Sequence, residues 1–346
     1  MKVRAGKVLR MLLGAVVTCG TVRAQDPPQV ATEPMEEVVV TGEFPGPGMW
    51  KVSRPEDPTH VLWIVGDPPP LPRRMSWKSR DVESVALRSQ EILLDASVRM
   101  EPDEKIGVFR GLSLLPSAMK ARKNPDGATL RQRVSPELYA RWLAQKKLYL
   151  GHDSGVEEWR PIFAAAKLRK EAFDDLGLRD SGMVWEVVGK LAKKRKTLVT
   201  APNLKFTFHT RDLKSKIREF SRESLPDAEC FAVTLDLVEA VSDTVTESRR
   251  AHAWATADLE TLDRLPALPN PYVPCAMAVL GSEVAREIIP ADIREQLYAS
   301  WMAAAAKSLA ANETTLAIVP LAKLTRVGGY LERLRARGYV IEAPNQ

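Results

Sequence analysis

Residues 329–344 read "GYLERLRARGYVIEAP": a short helix, a closing glycine at Gly338, and a last strand. A strand that ends a chain needs a sheet to join, and its partners are found at both ends of the sequence. Just before it, residues 303–324, "AAAAKSLAANETTLAIVPLAKL", pass from an alanine-rich helix into an apolar strand over Thr314–Val319. At the other end, "MWKVSRPEDPTHVLWIVGD" (49–67) places two apolar runs around a proline-containing turn, the pattern of a hairpin. In "WKSRDVESVALRSQEILLDASV" (77–98), Ser79 caps a helix with Asp81 and Glu83 in its first turn and Val82, Val85 and Ala86 on one face. The β-rich "ILLDASV" follows.

The centre is mostly helical. "SPELYARWLAQKKLYLG" (135–151) has Ser135 as cap, Pro136 at the first helical position, Leu138, Trp142 and Tyr149 on one face, and Gly151 as stop. "WRPIFAAAKLRKEAFDDLG" (159–177) repeats that plan, and "WEVVGKLAKKRKTLVTAPNLKFTF" (185–208) goes from helix to strand. A long helical stretch follows, broken by "LPALPNPYVP" at 265–274. No repeat of fixed period is visible. These patterns predict an α/β layer fold: a central β-sheet formed by N- and C-terminal strands, with a largely helical middle.

The 346 residues are 45% hydrophobic and 27% charged, enough for a sizeable core. Lys2, Arg4, Lys7 and Arg10 precede an apolar run from Met11 to Val22, then "VRA" before Gln25. This is the pattern of a cleavable signal peptide over residues 1–24, too short to span a bilayer, which takes about 20 apolar residues. A lipoprotein signal with Cys19 lipidated is the alternative. The expected location is the periplasm or the exterior, with no transmembrane span after cleavage. Residues 25–48 form a proline-rich tether, and a single domain is expected over 49–346. Residues 1–24 hold five basic residues and no acid, so removing them takes the net charge from +6 to +1. Nucleic-acid binding loses its main support. The basic run "KKRK" at 193–196 reads as a helix C-terminus rather than a binding patch. The mature chain keeps Cys230 and Cys275, an even pair that in an exported protein favours a disulfide.

Familiar catalytic spellings are absent: no HExxH, GxSxG, GxxxxGK or paired CxxC. His60, His152, His209 and His252 lie far apart in sequence. His252 and Asp258 are six apart, which is not ligand spacing on a helix, and His60 and His209 carry no partner signal. Asp95, at the end of "ILLDAS", is the acid a parallel strand would present at a ligand-binding sheet edge, with a turn cap as the alternative; Glu91 and Glu101 lie nearby in sequence.

The ordered set "HVLWIVGDPPPLPRRM", "ILLDASV", "ANETTLAIVPLAKL" and "GGYLERLRARGYVIEAP" resembles the TraB/GumN family, which includes exported bacterial proteins and relatives of the Tiki metalloproteases. In its catalytic branch, two GxxH motifs supply metal-binding histidines and an early-strand acid completes the site. The resemblance places the first motif at Gly66-Asp67-Pro68-Pro69, with Pro69 at the histidine position. The second falls on Pro320-Leu321-Ala322-Lys323, with Pro320 for the glycine and Lys323 for the histidine; the acid corresponds to Asp95. Proline offers no side-chain donor atom, and a lysine cation repels a metal. An Asp95–Lys323 ion pair in place of the metal is therefore expected, and no cofactor, with a divalent metal only if the site is retained in altered form.

Three functions follow from this reading. The first is an exported, non-catalytic domain binding a peptide, protein or envelope component through the family cleft. The second is a hydrolase of metallopeptidase-like type with another acid/base constellation, around Asp95, Asp67 and Lys323. The third is a structural envelope protein, for which an exposed apolar patch rather than a pocket is expected.

Overall fold

A computed structural model describes residues 46–68 and 70–344. The predicted signal peptide, Cys19, residues 25–45 of the tether, and Pro69 lie outside the described residues. Among the described residues ten strands run in chain order: β1 Met49–Arg54, β2 Asp57–Asp67, β3 Leu71–Pro72, β4 Glu91–Leu94, β5 Ser97–Pro102, β6 Leu178–Arg179, β7 Leu198–Thr200, β8 Asn203–Phe208, β9 Thr314–Pro320 and β10 Val340–Glu342. Six of them form one mixed sheet in the order β10-β1-β2-β9-β4-β7.

The sheet joins the two ends of the domain. β1 and β2 are the predicted antiparallel hairpin, and β10 pairs antiparallel with the outer side of β1, Val52 facing Ile341. β9 inserts parallel between β2 and β4. Thr315–Val319 are all buried, so this strand reads as a continuous apolar run because both faces are covered.

Successive side chains of β9 feed two cores. Ala317 and Val319 meet Leu62, Ile64, Trp301, Met302 and Leu309, so the helix Ile293–Ala311 covers one face. Leu316 and Ile318 meet Val65, Val82, Val85, Ile92, Val184 and Val188, which puts the helices Arg80–Arg88 and Met183–Arg195 on the other.

The helical middle has its own core around Trp142, Leu168, Phe231 and Leu235. Its helix Pro136–Tyr149 starts where the sequence predicts, the Ser135 hydroxyl accepting from the Leu138 amide at 3.2 Å. Cys230 of the helix Ala228–Val241 is bonded to Cys275 of the helix Tyr272–Leu280, with 4.5 Å between their Cα atoms. The "KKRK" run closes the helix Met183–Arg195, its side chains exposed, as the helix dipole favours.

One stretch departs from the simplest reading. "ILLDASV" is not one strand: β4 ends at Leu94, and from Ser97 the chain pairs as β5 with β8 in a separate parallel ribbon. Asp95 and Ala96 are the pivot between the two sheets.

Candidate functional site

β2, β9 and β4 are adjacent and parallel, so their C-terminal ends share one edge. Asp67 and Pro320 are paired at the ends of β2 and β9, Gly66 faces Val319, and Asp95 directly follows β4. Ligands of parallel sheets collect at this edge. Lys323 arrives from the short helix Leu321–Thr325 that begins where β9 stops. Gly66, Asp67, Asp95, Pro320 and Lys323 therefore lie at one sheet edge; Pro69 lies outside the described residues.

Asp95 is the hub of the site. Its Oδ2 lies 2.6 Å from Lys323 Nζ, and its Oδ1 accepts from the Tyr330 hydroxyl at 2.6 Å. Burial, then the neighbouring Asp95 carboxylate, push the Tyr330 phenol upward, so it stays a donor. Its ring packs 4.0 Å from that of Trp301 and 5.1 Å from that of Tyr298. Arg326 donates to the Tyr298 hydroxyl, and the Arg333 guanidinium lies 4.1 Å over the Tyr298 ring. Tyr298 and Arg326 lie outside the stretches that carry the family resemblance, and Tyr330 lies within the closing one without a role assigned to it; folding the last helix back against Asp95 reveals that role.

Asp67 has a different environment. Its Oδ2 accepts from the Gly182 amide at 2.9 Å, while Oδ1 is buried with no partner. Burial raises its carboxyl above the ordinary range, opposed by the Gly182 and Val184 amides and by Arg179. Gly66, one residue earlier, lets Leu321 sit close, since a Cβ there would stand 2.5 Å from Leu321 Cδ1.

A cavity of about 1350 Å³ opens beside this edge. Asp67, Lys323, Arg326 and Tyr330 border it, and most of the remaining wall is apolar, including Leu259, Leu262, Leu268, Val273 and Leu297. Much of that wall comes from the "LPALPNPYVP" break and the helices on either side of it. Its volume exceeds the roughly 300–1,000 Å³ typical of small-ligand pockets, so it admits an extended ligand.

The other acids and histidines fall elsewhere. Glu91 lies at the opposite end of β4, buried, and accepts from Ser308 and Asn312. Glu101 is bridged to Arg99 and Lys205 on the ribbon of β5 and β8. His60 Nδ1 lies 2.7 Å from Asp57 Oδ2 at the far end of β2, and the Asp57 carboxyl is lowered to about 2, chiefly by the Thr59 hydroxyl. His209 Nδ1 lies 3.0 Å from Asp103 Oδ2, so both histidines have acid partners that the sequence did not signal. His252 is exposed.

No group of three or more His, Cys, Asp or Glu side chains placed to hold a metal ion occurs among the described residues. At the sheet edge, the Asp95 oxygens face an ammonium and a phenol rather than further ligands. That donor set does not fit a divalent metal.

The sequence model of the TraB/PrgY/gumN family matches residues 48–343, and the chain belongs to that family. No curated protein and no solved structure matches it. Among the described residues, no helix is long and apolar enough to cross a membrane.

Proposed function

We propose that this is an exported TraB/PrgY/gumN-family domain whose metal-dependent hydrolase site is degenerate, acting as a binding module of the cell envelope. The carrying observation is the Asp95 carboxylate engaged by Lys323 and Tyr330 at the edge where the resemblance puts the metal. The ion pair takes over the metal's neutralising role and ties the end of β4 to the C-terminal unit. The ligand is a peptide, protein segment or envelope component with an apolar, extended body, suited to a cavity whose walls are mainly apolar and whose border carries Lys323 and Arg326.

The test is to strip the chain with chelator and titrate Zn²⁺, Mn²⁺ and Co²⁺, following stoichiometry and melting temperature. A ligand selective for the native state raises that temperature. No bound equivalent and no shift is the expected result. One tight equivalent, lost in Asp95→Ala, would overturn the reading.

A second reading rests on Asp67, a carboxyl at the cavity wall that burial shifts upward, the direction a general acid needs. Peptide hydrolysis by the chelator-stripped chain, abolished in Asp67→Asn, would favour it.

A further inference from the structure

A second cavity, of about 220 Å³, opens where the helices Pro161–Asp175 and Ala228–Val241 begin, and it shares no lining residue with the larger one. Arg133, Arg160, Gln132, Ser224 and Asp227 bring the polar groups to its wall. Arg160 is only 1% exposed. Its Nε donates to the Lys123 carbonyl at 3.1 Å and Nη2 to the Phe220 carbonyl at 2.6 Å, with the guanidinium 4.8 Å over the Phe220 ring. Nη1 is buried with no partner, and among the described residues no carboxylate forms an ion pair with Arg160.

Arg133 repeats the deficit. It makes two long hydrogen bonds of 3.3 Å, to Ser224 Oγ and to the Pro125 carbonyl, and its Nε is buried without a partner. Asp227 is the lining carboxylate. It is committed to the Ile162 amide at 3.0 Å, at the start of the helix Pro161–Asp175, and makes no ion pair with either arginine among the described residues. The lining carries two guanidiniums and one carboxylate, and Glu223, just outside it, is a second carboxylate acting on Arg160. Arg160 donates only to neutral carbonyls, and its burial disfavours the charge by more than Asp227 and Glu223, acting without direct contact, relieve it, while Arg133 adds repulsion. Both helices also direct the positive ends of their dipoles here.

Size narrows the ligand. The space is that of roughly seven waters and lies below the range of drug-sized molecules. We propose that this cavity binds a small oxyanion, a carboxylate or phosphate group gripped by the planar fork of Arg133, with the buried charge of Arg160 behind it. Ser224 and Gln132 supply neutral hydrogen-bonding groups at the wall.

The experiment titrates the full, disulfide-bonded chain with sodium acetate and with inorganic phosphate against sodium chloride at fixed ionic strength, by calorimetry and thermal unfolding. A saturable, one-to-one response to either oxyanion and none to chloride is expected, and which one responds names the group. Arg133→Gln should weaken that response about tenfold or more, the loss of a charge-assisted hydrogen bond. Arg249→Gln, at an exposed arginine away from the cavity, should leave it unchanged. A second variant guards against misfolding of the first. Gln132→Glu keeps the acceptor that the Thr129 amide uses while placing a carboxylate at the wall. It should raise the melting temperature in chloride and remove the oxyanion response. Equal shifts with all three anions, or titrations of Arg133→Gln and Gln132→Glu that match the parent, would overturn the proposal.

Discussion

Lys323 and Asp95 stand 228 residues apart in sequence and 2.6 Å apart in space, and Asp95 holds Tyr330 with its other oxygen. Through one carboxylate the end of β4 is fastened both to the helix after β9 and to the helix Tyr330–Arg335 that leads into β10. The C-terminal strand thus reaches the outer edge of the sheet with its preceding helix already anchored at the centre.

This sharing ranks two substitutions. Asp95→Ala deprives both partners, one of them a buried phenol, and should cost about 2–3 kcal/mol of stability. Lys323→Met removes one partner, itself one-third exposed, leaves Tyr330 still donating to Asp95, and should cost less than about 1 kcal/mol. Urea denaturation of the two variants checks the order. An equal cost would mean that Tyr330 gains nothing from Asp95.

Two glycines near the site should respond differently to alanine. A Cβ at Gly329 would lie 2.5 Å from the Lys323 carbonyl and 2.7 Å from that of Arg326, both fixed backbone, so the turn behind Lys323 must open. At Gly66 the nearest obstacle is the flexible tip of Leu321. Gly329→Ala should therefore cost about 2–3 kcal/mol and Gly66→Ala about 1 kcal/mol. Matched thermal unfolding of the two variants reads the difference.

What the sequence revealed and what it hid divide along a physical line. The hairpin, the capped helix after Ser135, the strand Thr314–Pro320 and the closing unit carry local signals: periodicity, caps, prolines and glycines. The Asp95–Lys323 contact was legible only through the family resemblance that sets both residues at one site, and the Cys230–Cys275 bond from an even cysteine pair in a chain expected to be exported. The parallel pairing of Ser97–Pro102 with Asn203–Phe208 was not, since about a hundred residues intervene and no turn announces it. Nor was the burial of Asp67, which depends on Gly182 arriving from a distant loop, nor the role of Tyr330, whose hydroxyl acquires meaning only beside Asp95.

The disulfide should contribute a measurable share of stability. It closes a loop with a sequence separation of 45, for which the chain-entropy relation gives about 4 kcal/mol at 25 °C. Replacing both Cys230 and Cys275 by alanine should lower the denaturation midpoint. Reductant should then have no further effect on the variant while destabilising the parent. A parent indifferent to reductant under conditions that break the bond would remove that contribution.

Asp67 makes the last prediction, and its sign is the opposite of an ordinary ion-paired acid. Burial raises its carboxyl in the folded chain above the unfolded value of about 4. The folded state therefore binds this proton more tightly than the unfolded state does. The stability it contributes is fully present below about pH 4 and is lost as pH rises through the folded value. Asp67→Asn keeps an oxygen for the Gly182 amide and removes the ionisation. Relative to the parent, the variant should gain stability steadily as pH rises from 4, then level off once the parent's carboxyl is ionised. Urea denaturation at intervals from pH 4 to 8 follows this. If the parent instead gains on the variant with rising pH, Gly182 and Arg179 stabilise the carboxylate by more than burial costs, and a proton-holding acid at the cavity wall is ruled out.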